Sequence, residues 1–302
     1  MDRHISLRAY AKINLGLAVL GRRADGYHEL RTVYQSISLA DELRVSLLPG
    51  SGVSLATSGI EVPTENENLA ARAAAAILTE LKLRQRVAIA LRKRIPPGGG
   101  LGGGSSDAAA VLRAVLFLSG KKLPPDRLVH LAASLGSDVP FFLLGGRALG
   151  IGRGEEVYPL AEGSRQHCVL LVPEEGISTA EAYRRLRLPL LATTRAPNAV
   201  DLFCGRAGRG EWRELGNSFE KVAFQMLPRL AALKRQLLRA GAEWASLSGS
   251  GSALYGMFPG PAQARAAAER LRQPGCRVYA ARTVSRREFQ KPLLPAAAPP
   301  SP

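Results

Sequence analysis

Between residues 98 and 104 the chain sets six glycines in seven positions, broken only by Leu101, and then runs through Ser105, Ser106 and Asp107 into alanine. Glycine loses more conformational entropy on folding than any other residue, so such a tract needs a use. The alternating stretch before it, RVAIALRKRI (86–95), reads as a strand, and the alanines after it as a helix whose N-cap is expected at Ser105 or Ser106. A glycine loop running from a strand into a helix start presents unpaired N–H groups and the positive end of a helix dipole, which together cradle a phosphate. A hinge or tight turn would need one or two glycines, not six. The Walker loop is excluded because no lysine follows the tract. The formal G-x-G-x-x-G of Gly98, Gly100 and Gly103 lies mid-chain, with no acidic residue near position 123 to hold a ribose.

Two further positions suit phosphoryl transfer, a reaction that asks a protein mainly for positioning, charge stabilisation and a base near the attacking hydroxyl. In AYAKINLGLAVL (9–20), Ile13, Leu15, Leu17 and Val19 share one face of a strand, which leaves Lys12 and Asn14 together on the other. Asp138, in LGSDVPFF (135–142), follows a helical stretch, and Pro140 is expected to keep Asp138 and Val139 out of any helix. An aspartate so placed is a candidate base, and a lysine could orient it and stabilise alkoxide charge. Taken singly, each has a plainer reading, as an exposed strand lysine and a turn-forming aspartate. Asp107, in the expected first helical turn, is read as complementing the dipole.

The elements that must position these residues mix strands and helices without strict alternation, which argues for an α+β fold in two halves. In the first half, LRTVYQSISL and DELRVSLL read as two strands joined by a turn, RRADGYHEL (22–30) as a loop, residues 66–83 as a helix, and PPDRLVHLAASLG as a helix closed by Gly136. The second half opens with a strand at 167–173 and a helix capped by Ser178 and Glu181. Three helical segments between 197 and 240, a small-residue loop at 247–254, a helix at 261–272 and a strand at 276–284 follow. The expected divisions are residues 1–160, 161–288 and a disordered proline-alanine tail over 289–302.

With 302 residues, 46% hydrophobic and 22% charged, the chain has the composition of a globular protein. No secretory leader or bilayer-length apolar run is visible, and three scattered cysteines argue against a disulfide framework or zinc site. These features suggest a cytoplasmic protein with no membrane association. The net charge of +16 attracts anions, yet the arginines are dispersed and aromatics make up only 6%. That is a poor pattern for nucleic-acid binding, and no specific nucleic acid is expected.

PPGGGLGGGSSDAA (96–109) resembles the ATP-phosphate loop of the GHMP kinase superfamily, with Pro97, Gly100, Leu101, Gly102, Ser105 and Ser106 matching and two glycines added. AKINLGLAVLGRRADGYHEL, LGSDVPFF and LSGSGSALYGMF are similar to three further motifs of one branch, the 4-diphosphocytidyl-2-C-methyl-D-erythritol kinases of the non-mevalonate isoprenoid pathway. All four lie in the family's order over nearly the whole chain. The resemblance implies a two-lobed α+β fold with the active site in the cleft between lobes. It implies transfer of the γ-phosphoryl group of ATP, with Mg²⁺, to the 2-hydroxyl of the cytidyl substrate. Lys12 and Asp138 would be catalytic, and residues 97–106, including Gly99, would hold ATP. Asn14, Tyr27, His28, Thr179 and Tyr183 would bind substrate, with Tyr27 and Tyr183 on opposite faces of the cytosine and His28 at its edge. Gly249, Ser250 and Gly251 form a second glycine motif, and the magnesium ligands stay unassigned. Homoserine or mevalonate-type kinases would have no use for a base-stacking loop, and an RNA-binding protein none for Asp138 or the glycines.

Overall fold

The computed structural model describes residues 3–62, 67–186 and 197–291. Its first lobe is built on a long antiparallel hairpin of β1 (Arg3–Arg22) and β2 (His28–Pro49). The register slips between Tyr10 and Ala11, between Asn14 and Gly16, and between Val19 and Gly21. Such irregularities bend a strand and re-aim its side chains, and two of them bracket Lys12 and Asn14. The expected turn inside residues 30–49 is absent, and β2 is one strand. Asp41, beside that expected turn, is held by the backbone N–H groups of Arg94 and Ile95 and by Lys93.

Strands β3 (Gly52–Gly59) and β4 (Gln85–Lys93) are parallel, joined through helix α1 (Leu69–Glu80), whose N-cap is Asn68. Sequence patterning missed β3 because this edge strand is mostly exposed and lacks alternation. Strands β5 (Arg147–Ile151) and β6 (Glu156–Pro159) complete a sheet ordered β3-β4-β2-β5-β6, with β1 paired to β2. Helices α2 (Gly103–Ser119), α3 (Pro125–Leu135) and α4 (Val139–Leu144) pack with α1 over Val45, Val87 and Ile89. Gly136 follows α3 in an extended conformation rather than a left-handed one. Pro140 does not exclude Val139 from a helix, since it lies in the first turn of α4, where a missing N–H costs nothing.

The second lobe is a four-stranded antiparallel sheet, ordered β10-β7-β9-β8, of β7 (His167–Pro173), β8 (Trp244–Leu247), β9 (Leu254–Phe258) and β10 (Cys276–Arg282). Its helices are α5 (Thr179–Arg185), α6 (Pro197–Arg209), α7 (Trp212–Leu215), α8 (Glu220–Met226), α9 (Arg229–Arg239) and α10 (Pro261–Arg270). Residues 197–240 thus hold four helices rather than the expected three. The lobes share an apolar cluster, with Ile13, Leu15, Val33 and Ile37 from the first sheet against Leu170, Val172, Tyr255 and Met257 from the second.

The connection from β6 to β7 spans the expected divide near residue 160. The chain nevertheless returns to the first lobe, where Val284 and Phe289 join its core and α11 (Arg286–Phe289) packs. The tail therefore does not begin at 289: Phe289 is only 7% exposed, with its ring 5.6 Å from that of Tyr10. Residues 292–302 lie outside the described residues. Among the described residues no helix is long and apolar enough to cross a membrane.

Candidate active site

The glycine loop connects β4 to α2, and the N-cap is Gly102, in the left-handed region at φ 71°, not Ser105 or Ser106. A side chain at that φ is strained, and a Cβ there would lie 2.8 Å from Phe142. Gly103, Gly104 and Ser105 therefore supply the free N–H groups of the first turn. Ser106 donates its hydroxyl to the carbonyl of Tyr10, at 2.7 Å. Asp107 is the fifth helical residue, beyond the turn where the dipole is felt, and it pairs with Lys93 instead. Pro97 and Gly98 are exposed, while Gly99 accepts a hydrogen bond from the backbone of Ala253 at 3.1 Å.

The second glycine motif lies directly against the first. Ser248 donates its hydroxyl to the carbonyl of Gly100 at 2.9 Å, and a Cβ on Gly100 would come within 2.2 Å of the Ser248 carbonyl. Gly249 and Gly251 have φ of 57° and 98°, and Asn217 donates to the carbonyls of Leu247 and Gly249. Ser250 is bound through its hydroxyl to that of Thr179, at 2.9 Å, so α5 is tied to this motif.

Lys12 and Asn14 are the polar face of β1, as the alternation predicts, but they are enclosed rather than solvated, with exposures of 3% and 1%. Burying polar groups so deeply is favourable only if they are paired. Lys12 Nζ donates to Asn14 Oδ1 at 2.8 Å and lies 3.3 Å from Asp138 Oδ2. Asn14 Nδ2 donates to Thr32, which donates in turn to the carbonyl of Gly16. The backbone N–H of Lys12 donates to Leu101 in the glycine loop. Asp138 immediately precedes α4 and is 30% exposed through its side chain. Its second oxygen, Oδ1, accepts the hydroxyl of Tyr34 at 3.0 Å. Burial and the Asp138 charge push the Tyr34 hydroxyl well above its usual range, so it remains a donor.

These groups open onto a cavity of about 920 Å³. Lys12, Asn14, Asp138, Gly100, Gly249 and Ser250 line it, together with Tyr27, His28, Thr179 and Tyr183. The ring of Tyr183 stacks on His28, with centroids 4.6 Å apart, and its hydroxyl is pushed to about 12 by burial and by Asp138. Tyr27 is 54% exposed, with the guanidinium of Arg153 4.6 Å over its ring. Burial and the neighbouring Arg22 lower the pKa of His28, which favours its neutral ring.

Sequence reasoning missed Tyr34, Thr32, Arg22 and Arg153, all on the cavity wall. The only signal for Tyr34 and Thr32 is register, since Asn14 pairs with Tyr34 and Leu17 with Thr32. Among the described residues no group of three histidines, cysteines or acids converges to hold a metal ion.

Residues 68–146 match the N terminal domain of the GHMP kinases, and residues 205–275 match the GHMP kinases C terminal domain. A 4-diphosphocytidyl-2-C-methyl-D-erythritol kinase from Solibacter usitatus is 48% identical over 260 residues, 85% of this chain and 82% of its own length. The chain belongs to the 4-diphosphocytidyl-2-C-methyl-D-erythritol kinase family. The enzyme of that name from Moorella thermoacetica is 44% identical, covering 89% of this chain and 95% of its own. A crystal structure of a 4-(cytidine 5'-diphospho)-2C-methyl-D-erythritol kinase superposes with a TM-score of 0.75 at 40% identity, over 94% of this chain and 99% of the other. A homoserine kinase from Cytophaga hutchinsonii, at 20% identity and a TM-score of 0.65, shares the fold. As a GHMP kinase, the chain is a small-molecule kinase with ATP as a substrate.

Proposed function

We propose that this chain transfers the γ-phosphoryl group of Mg²⁺·ATP to the 2-hydroxyl of 4-diphosphocytidyl-2-C-methyl-D-erythritol, a step of non-mevalonate isoprenoid precursor synthesis. The observation that carries this reading is the Lys12–Asp138–Tyr34 constellation beside the glycine loop, in a cavity that Tyr27, His28 and Tyr183 also line. The phosphates of ATP would rest on the N–H groups of Gly103, Gly104 and Ser105. Among the described residues no three acids, histidines or cysteines converge to cage magnesium, so the ion would be held chiefly by the nucleotide phosphates, where it would neutralise their charge.

The acceptor hydroxyl gives its proton to Asp138 as its oxygen attacks the γ-phosphorus, and the bridging oxygen leaves with ADP. Tyr34 holds one carboxylate oxygen and Lys12 the other, so the base meets the acceptor in a fixed orientation. The Lys12 ammonium also stabilises negative charge developing on the attacking oxygen. The cytosine would stack on the free face of Tyr27, whose other face carries Arg153. Arg22, Arg153 and Arg184 on the cavity wall suit the substrate diphosphate. No membrane or specific nucleic-acid partner is included in this reading, and the free Cys168, Cys204 and Cys276 suit the reducing cytoplasm.

Asp138→Asn tests the assignment. It keeps the shape of the cleft and removes the base, so kcat should fall by about 10²–10⁴ while ATP binds as before. A variant that turns over near the normal rate would refute it.

A further inference from the structure

Behind the glycine loop lies a group of buried charges that the reaction above does not use. Lys93, the last residue of β4, donates through Nζ to Asp41 Oδ2 at 2.5 Å and to Asp107 Oδ2 at 2.6 Å. All three side chains are almost fully enclosed, and none of them lines the substrate cavity. Asp41 Oδ1 also accepts the backbone N–H groups of Arg94 and Ile95, the first residues past the strand. Asp107 stands in the second turn of α2, just past the loop's other end. A Cβ on Gly103 would come within 2.9 Å of the Lys93 ammonium, so the charge lies directly beneath the helix start. Both feet of the loop are thus fastened to one nitrogen.

The charge balance is uneven. Two carboxylates and one ammonium would leave a net negative charge, almost out of water, behind a site that must receive a triphosphate, and such a charge is costly to bury. Asp107 Oδ1 is buried with no hydrogen-bond partner. We propose that Lys93, Asp41 and Asp107 are positioning residues of the ATP loop, with the ammonium pinning both its ends and Asp107 taking part as a neutral acid. The charged groups facing Asp107 are Lys93 from β4 and Asp41 from β2. Burial pushes Asp107 well above the usual carboxylate range, Lys93 opposes the rise, and Asp41 adds to it. A proton on Asp107 cancels the surplus charge and leaves the clamp intact.

This inference rests on the loop holding ATP, so its test reads ATP affinity by equilibrium titration without the second substrate. Asp107→Ala frees one foot of the loop and should weaken ATP binding about tenfold or more, since small misplacements at a binding site have large effects. Its KM for the cytidyl substrate should stay the same. Asp107→Asn, the isostere of the neutral acid, should recover most of the lost affinity at neutral pH. The wild type should lose ATP affinity on the alkaline side as the proton leaves, and the Asn variant should not. Thermal melts of both variants separate a loose loop from an unfolded chain. An Asp107→Ala variant that binds ATP normally, or loses both ligands alike, overturns the proposal. An Asn variant as impaired as the Ala variant, or with the wild-type alkaline loss, overturns it too. A wild type that binds no ATP would overturn the loop assignment and this inference with it. Normal ATP binding in the wild type and in every variant would overturn the inference alone.

Discussion

Asp138 is aimed from two sides, by a buried ammonium and a buried phenol, and the two supports have different consequences. Removing the phenol with Tyr34→Phe deletes one hydrogen bond to a charged acceptor and leaves the stack on Phe141. A bond of that kind is worth about 1.5–3 kcal/mol, so kcat should drop by roughly ten- to a hundredfold, with the ATP KM unchanged. Steady-state kinetics in both substrates checks this, and a change confined to KM would contradict it. On the same cavity wall, Tyr27→Ala should raise the KM for the cytidyl substrate about 5- to 150-fold, from a stacking contribution of about 1–3 kcal/mol. The ATP KM should hardly move. How far such residues can be read from sequence depends on how local their signal is. Lys12 and Asn14 follow from alternation within one strand, and their side chains indeed lie side by side. Tyr34 lies 104 residues from Asp138 in sequence, and only the bulged register of β1 and β2 brings it near Lys12. No local pattern encodes that meeting. Tyr27 and Tyr183 lie in the same cavity, but the stacking of Tyr183 on His28 joins residues 155 positions apart and has no local signal either.

At the scale of elements, the order of strand, glycine loop and helix was legible, because six glycines before an alanine run leave few alternatives. The cap position was not. Ser105 and Ser106 are good caps in general, but Gly102 takes the left-handed conformation that ends the loop, so the helix begins earlier. This placement makes Gly104 the cleaner site for a test. It is exposed, has ordinary helical φ, and a Cβ there would meet only Leu69 at 3.4 Å. Gly104→Asp puts an acid in the first turn, which should stabilise the helix by about 0.3–1 kcal/mol. The same carboxylate would repel the phosphates proposed to bind there. Melting temperature and ATP affinity should therefore move in opposite directions, and unaltered ATP affinity would remove the phosphates from this helix.

Across the described residues the two sheets are joined through one apolar cluster, and α11 returns to the first lobe. Unfolding of the chain should be a single cooperative transition by calorimetry, and two resolved transitions would mean the lobes are independent. The Asp107 acid gives that stability a pH dependence of definite sign. Its folded pKa is raised, so its contribution is complete below the ordinary carboxylate range and is lost as pH rises through the raised value. Asp107→Asn should flatten that decline in a series of melts. The surplus charge of +16 was plain in the sequence, but composition alone does not assign it a ligand. A cavity lined by a lysine–aspartate pair and by stacked aromatics is a stronger guide. The most direct test of that reading is ADP release with ATP and each acceptor in turn. Release should require 4-diphosphocytidyl-2-C-methyl-D-erythritol, fail with mevalonate and homoserine, and be inhibited by free CDP far better than by UDP. Equal turnover of mevalonate, or equal inhibition by the two nucleotides, would contradict the account.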